Sequence, residues 1–203
     1  MSDTKPRLVV AVTGASGALY AVRFLRATLR SAIDVDLVVS AYGRRLLIEE
    51  CGLNLKTETL QQYIERDEPG VELSGSITLH RDQELGAPIA SGSQRWMGMV
   101  VIPCSMKTLS GIAHGYASNL VERAADVTLK EGRPLVLVPR ETPLNLIHLE
   151  NMTQAMRAGA AIVPAMPAFY YGPRTFDDLA DFVAGRVLSV LGLEHDLFTP
   201  WTG

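Results

Sequence analysis

The chain has 203 residues, 47% of them apolar and 20% charged, with a formal charge of −3. That composition suits a globular protein with one full core, folding without a disulfide or a structural metal. The acidic balance argues against a nucleic-acid surface, and no apolar run approaches the ~20 residues of a membrane span. Cys51 and Cys104 read as reduced thiols, and the first residues show no apolar signal-peptide core, so a cytoplasmic protein is expected.

Residues 8–12, Leu-Val-Val-Ala-Val, predict a strand buried on both faces. Thr13-Gly14-Ala15-Ser16-Gly17 breaks the run, and residues 18–29 carry helical apolar spacing. A strand, a glycine turn and a helix start offer free backbone N–H groups and a positive helix end to an anion, with the Ser16 hydroxyl beside them. Phosphate is the natural guest; the alternative is a tight turn whose glycines serve packing alone. The spacing is neither the full dinucleotide fingerprint nor a nucleotide-triphosphate loop.

A second strand at 35–40 ends on Ser40, and residues 42–51 predict a helix stopped by Gly52. Glu50, at the end of that helix, opposes its dipole and is either solvated or retained for a purpose. Residues 59–66 predict a short helix and 77–80 a short strand; 86–93 read as a loop in which Ser91 and Ser93 offer hydroxyls. The third buried strand, 97–103, runs into Cys104-Ser105-Met106-Lys107-Thr108 ahead of a helix from Leu109. One hydroxyl-rich strand end is explained by helix capping, but two favour a bound phosphate ligand.

Residues 119–131 predict a helix capped by Asn119 or Ser118, with Arg123 and Lys130 two turns apart on one face. The plainer reading pairs Asp126 with Lys130 as a surface ion pair. A fourth strand at 133–139 is followed by Arg140 and Glu141, between a strand end and a helix start, where open α/β sheets place ligands. Thr142 is the expected cap of that helix and Pro143 its first residue, the helix running to Ala158. A short strand at 161–164 leads to the aromatic loop 167–173 and a final helix at 176–191, with Thr175 and Asp178 spaced as a capping box. Within it Arg186 reads as a snorkelling surface arginine, and Trp201 calls for a covering surface.

Several stretches together resemble the UbiX-type flavin prenyltransferases: Thr13-Gly14-Ala15-Ser16-Gly17-Ala18-Leu19-Tyr20, Ala90-Ser91-Gly92-Ser93, Pro103-Cys104-Ser105-Met106-Lys107-Thr108, Asn119-Leu120-Val121-Glu122-Arg123-Ala124-Ala125-Asp126 and, most specific, Val138-Pro139-Arg140-Glu141-Thr142-Pro143. With Leu129-Lys130-Glu131-Gly132-Arg133-Pro134-Leu135-Val136-Leu137, His148-Leu149-Glu150-Asn151-Met152 and Pro167-Ala168-Phe169-Tyr170 they cover nearly the whole chain in order; residues 53–84 carry no family pattern. The resemblance implies a single α/β domain over 1–203, a three-layer Rossmann or flavodoxin-like fold with a parallel sheet between helices. It implies transfer of a dimethylallyl group from dimethylallyl phosphate to N5 and C6 of reduced FMN, without a metal. The product would serve a UbiD-type decarboxylase.

By the same resemblance the FMN site would comprise Gly14, Ala15, Ser16, Ser40, Ser105, Met106, Lys107, Thr108 and Arg140. The prenyl phosphate would meet Ser91, Arg123, Lys130, Tyr170 and Arg186. Glu141 and Ser16 would handle protons, and Glu50 and Trp201 match positions lining the family's site. Family sites lie between subunits of a dodecamer, so the tail at 194–203 is expected to pack on a neighbouring chain. Two other readings stand beside it. A flavin-dependent cysteine decarboxylase needs a histidine on the early helix, and none of the four falls at 42–51. A non-catalytic flavin carrier would have no use for Glu141 or the phosphate-binding cations.

Overall fold

The computed structural model describes residues 5–199 and Trp201. Its strands are β1 (Arg7–Val12), β2 (Asp34–Val39), β3 (Ile77–His80), β4 (Met99–Cys104), β5 (Leu135–Pro139) and β6 (Ala160–Ile162). The helices are α1 (Ala18–Arg30), α2 (Ala41–Cys51), α3 (Leu60–Asp67), α4 (Met106–Ala113), α5 (Leu120–Lys130), α6 (Leu146–Arg157) and α7 (Phe176–Val190), with a 3-10 turn at Pro88–Ala90. All strands pair in parallel, in the order β3-β2-β1-β4-β5-β6.

Period-two alternation along buried strands sends successive side chains to opposite faces. Leu8, Val10 and Val12 of β1 pack with Phe24 and Leu25 of α1 and Val183 and Val187 of α7. Val9 and Ala11 pack instead with Leu109 of α4 and Leu120 and Val127 of α5. The result is the expected three-layer fold, with α1 and α7 on one face of the sheet and α4 and α5 on the other. Among the described residues no helix is long and apolar enough to cross a membrane. Both cysteines are free thiols, and burial pushes Cys51 up to about 11 and raises Cys104 as well.

Local signals set most boundaries. Gly52, at φ 69°, stops α2 in the left-handed conformation, Asn119 rather than Ser118 caps α5, and Thr175 and Asp178 form the capping box of α7. Two helix starts differ from expectation. Helix α4 begins at Met106, three residues early, because Ser105 Oγ accepts the Thr108 N–H and closes the first turn there. Helix α6 begins at Leu146, since Asn145 and His148 exchange a reciprocal pair of capping hydrogen bonds and Thr142 makes none of that kind.

Candidate active site

The sheet order reverses between β1 and β4, and the crevice above such a switch point is where open α/β sheets admit ligands. Thr13, at the end of β1, laces the two turns that border it. Its N–H and hydroxyl donate to Pro103 O at 3.2 and 2.9 Å, and the hydroxyl oxygen accepts Ser105 N–H at 2.8 Å. Thr13 is buried, and the sequence reading missed it; a hydroxyl directly after a buried strand was the available signal.

Of the two readings of Glu50, the structure favours retention for a purpose: although the residue is exposed, its Oε2 accepts the N–H groups of Gly17 and Ala18, each at 2.8 Å. The charge that opposes the dipole of α2 complements that of α1, whose N-terminus needs an acceptor. Two of the amides expected to cradle phosphate are therefore already occupied by a side chain of the same protein. Gly17 has φ 115°, and a Cβ there would stand 2.6 Å from the Tyr20 ring. Tyr20 is a second residue the sequence reading passed over. Burial raises its phenol above the usual value, with Arg140 lowering it and Glu50 raising it.

Around this centre the fold gathers Gly14, Ala15, Ser16, Ser40, Glu50 and Arg140. A Cβ at Gly14 would meet Tyr42 Cβ at 2.6 Å, and one at Gly43 would meet Val12 O at 2.5 Å, so α2 starts in close contact with the end of β1. Ser40 Oγ caps α2 through Gly43 N–H, and Arg140 Nε donates to Ser16 O at 2.8 Å, tying the β5 turn to the glycine turn. At the β4 end Ser105 Oγ accepts Thr108 N–H and donates to Thr108 Oγ1 at 3.0 Å. Met106 and Lys107 follow in the first turn of α4, where helix geometry leaves amides without intrahelical acceptors. Glu141 is exposed beside Arg140, its Oε1 accepting Thr142 N–H at 3.0 Å.

The expected prenyl-phosphate residues fall into two groups. Ser91, Arg123 and Lys130 lie together along α5. Arg123 Nε donates to Ala90 O at 3.2 Å and Nη1 pairs with Asp126 at 2.7 Å, whereas Lys130 pairs with Glu131. The expected Asp126–Lys130 pair is not formed, because the i,i+3 arginine takes the aspartate first. Tyr170, Arg186 and Trp201 belong to the α7 side. Trp201 stands edge-on to Tyr170 at 5.4 Å between centroids, Tyr170 in turn meets Phe182 of α7 at 6.0 Å, and Arg186 is exposed. One chain thus holds its two cationic groups on opposite faces of its sheet. A cavity of about 280 Å³ beside the start of α3 is lined by none of these residues.

The Flavoprotein family pattern matches residues 1–188. A flavin prenyltransferase UbiX of Halalkalibacterium halodurans is 50% identical over 99% of this chain and 96% of its own length. The chain belongs to the UbiX-type flavin prenyltransferases. Another member, from Escherichia coli K12, is 45% identical over 97% of this chain and 98% of its own. The crystal structure of AnUbiX (PadA1) with FMN and dimethylallyl pyrophosphate superposes with a TM-score of 0.89 at 39% identity, covering 98% and 99% of the two chains. A dodecameric FMN-dependent UbiX-like decarboxylase from Escherichia coli O157:H7 gives 0.85 at 46% identity, covering 97% and 100%. A PPC decarboxylase variant, at 19% identity and 0.59, shares the fold alone. The histidines of this UbiX-type chain lie on β3, at the end of α4, in α6 and in the tail, away from α2.

Proposed function

We propose that this chain prenylates reduced FMN: a dimethylallyl group from dimethylallyl phosphate forms bonds to N5 and C6 of the flavin, and phosphate leaves. The observation carrying this reading is the separation of a hydroxyl-rich crevice at the β1/β4 switch point from cations at Arg123, Lys130 and Arg186. The donor set of the crevice fits FMN. Ser40, Ser105 and Thr108 hydroxyls, the first-turn amides of α4 and the Arg140 guanidinium suit a phosphate monoester and a ribityl chain. Gly14, Ala15 and Ser16 would border the ring.

Reduced FMN supplies the nucleophilic N5 and C6 positions. Phosphate is a reluctant leaving group, so fixed cations at the oxygens where charge accumulates lower the barrier; losing one such donor costs roughly 10²–10³ in rate. Arg123, Lys130 and Arg186 are assigned that work, which makes the reaction independent of a metal. Ser91 adds a hydroxyl donor. Tyr170 and Trp201 offer aromatic faces to positive charge developing on the allylic carbons. Glu141, Glu50 and Ser16 are the groups to move the proton displaced by alkylation.

Since one chain holds its cations on opposite faces of the sheet, the complete pocket is assigned to an interface between copies in a dodecamer, where the expected reach of the tail to a neighbour gives way to Trp201 and Phe198 packed on the α7 side of their own chain. In this reading the product passes to a UbiD-type decarboxylase in the cytoplasm. Anaerobic incubation with reduced FMN and dimethylallyl phosphate tests the proposal. The expected result is a flavin gaining the mass of the five-carbon unit with release of phosphate; unchanged FMN overturns it.

A further inference from the structure

We infer that Arg133 is a positioning residue for the prenyl-phosphate subsite, bracing the Ser91 loop against Lys130; the inference rests on the function proposed above. Arg133 lies between α5 and β5, outside every set of site residues named so far. Its Nη2 donates to Gly92 O at 3.2 Å and to Gln94 O at 2.8 Å. Arg123 Nε holds Ala90 O. Two arginines thus fix three carbonyls of one five-residue loop, in which the Ser91 and Ser93 hydroxyls stand 3.0 Å apart and Ser91 Oγ also accepts the Ser93 N–H at 3.4 Å.

The brace is itself fixed. The Arg133 guanidinium stacks on the Trp96 ring at 4.1 Å from the centroid, and Trp96 is buried with its Nε1 donating to the buried Thr128 hydroxyl at 3.2 Å. Arg133 Nη1 is buried and has no hydrogen-bond partner among the described residues, so the indole face is what it has in place of water. A solvated arginine would not adopt that position; one held in a single geometry does. The loop in turn lies close to the Lys130 ammonium group. A Cβ at Gly92 would collide with the Glu131 carboxylate and reach Lys130 Nζ at 2.9 Å. The position of the loop therefore sets the space open to the ammonium group.

Steady-state prenylation by Arg133→Ala, measured on the assembled, FMN-loaded protein, tests the inference. The expected KM for dimethylallyl phosphate rises about tenfold, or 1.4 kcal/mol, with kcat and the Kd for FMN within about twofold of wild type. Millimolar guanidinium ion restores part of the loss, and Arg133→Lys, which keeps the charge without the planar fork, falls between. An active wild type with unchanged KM in Arg133→Ala overturns the brace alone, as does a parallel loss of FMN affinity and kcat. A wild type that leaves FMN unchanged overturns the proposed function instead. Should Arg133→Ala not fold, Gly92→Ala must raise the same KM with FMN binding intact, and an unaltered KM there overturns the inference.

Discussion

Glu50 shows how a residue's role depends on partners that sequence spacing does not disclose. Its own helix gives it an unfavourable end, but a helix 32 residues earlier supplies two amides. Thr13 and Tyr20 were hidden for the same reason, since their partners Pro103 and Arg140 lie far along the chain. Hydroxyls at strand ends, by contrast, were legible because strand, turn and helix are contiguous. Gly17→Ala combines a positive φ with a collision against Tyr20, so a stability loss of about 1–3 kcal/mol is expected in denaturant titration. In Glu141→Gln the Kd for FMN is expected to hold while single-turnover prenylation slows by about 10²-fold or more. With Cys51 pushed up to about 11 by burial, iodoacetamide alkylation at pH 8 should be slow in the native protein and fast in urea.

At the scale of elements, capping chemistry explains both what was legible and what was not. Gly52 and the Thr175–Asp178 pair named their helix ends outright, and Asn119 did so to within the neighbouring Ser118. Thr142-Pro143 looked like an equally good start, but Asn145 with His148 satisfies two groups where Thr142 satisfies none of them. The tail is clasped to α7: His195 Nε2 lies 2.9 Å from Ser189 Oγ, and Phe198 packs on Phe182 at 4.7 Å. Gly185 makes room for the clasp, since a Cβ there would stand 2.6 Å from Phe198 and 2.7 Å from His195. Gly185→Ala should therefore release the tail and expose Trp201 further, read as a red-shifted, more readily quenched tryptophan emission with far-ultraviolet dichroism unchanged. Burial, assisted by Arg186 and opposed by Asp196, holds the His195 imidazole below its ordinary 6.5. A depressed folded value means that stability is present above about 6.5 and lost as pH falls from there through the folded value. The same emission change is expected on acidification across that window, and its absence in His195→Gln checks the assignment.

The whole molecule adds what no single element carries. The parallel α/β class was readable from buried strands alternating with helices; the strand order, and that Arg123 and Arg186 end on opposite faces, were not, because only the assembled layers decide them. Helix α6 exposes Leu146, Ile147, Leu149 and Met156, an apolar face that suits association of copies. Mixing Lys130→Ala chains with Arg186→Ala chains, each inactive alone, should recover prenylation after subunit exchange if pockets are shared, and none if each chain works by itself. Chelator should leave the wild-type rate unaltered. The carboxylate of Glu50 seated on Gly17 and Ala18 has one last bearing on the crevice. In the proposed site an incoming phosphoryl group would meet a resident negative charge at that doorway and be turned toward the α4 side, which would give the flavin one way round to enter.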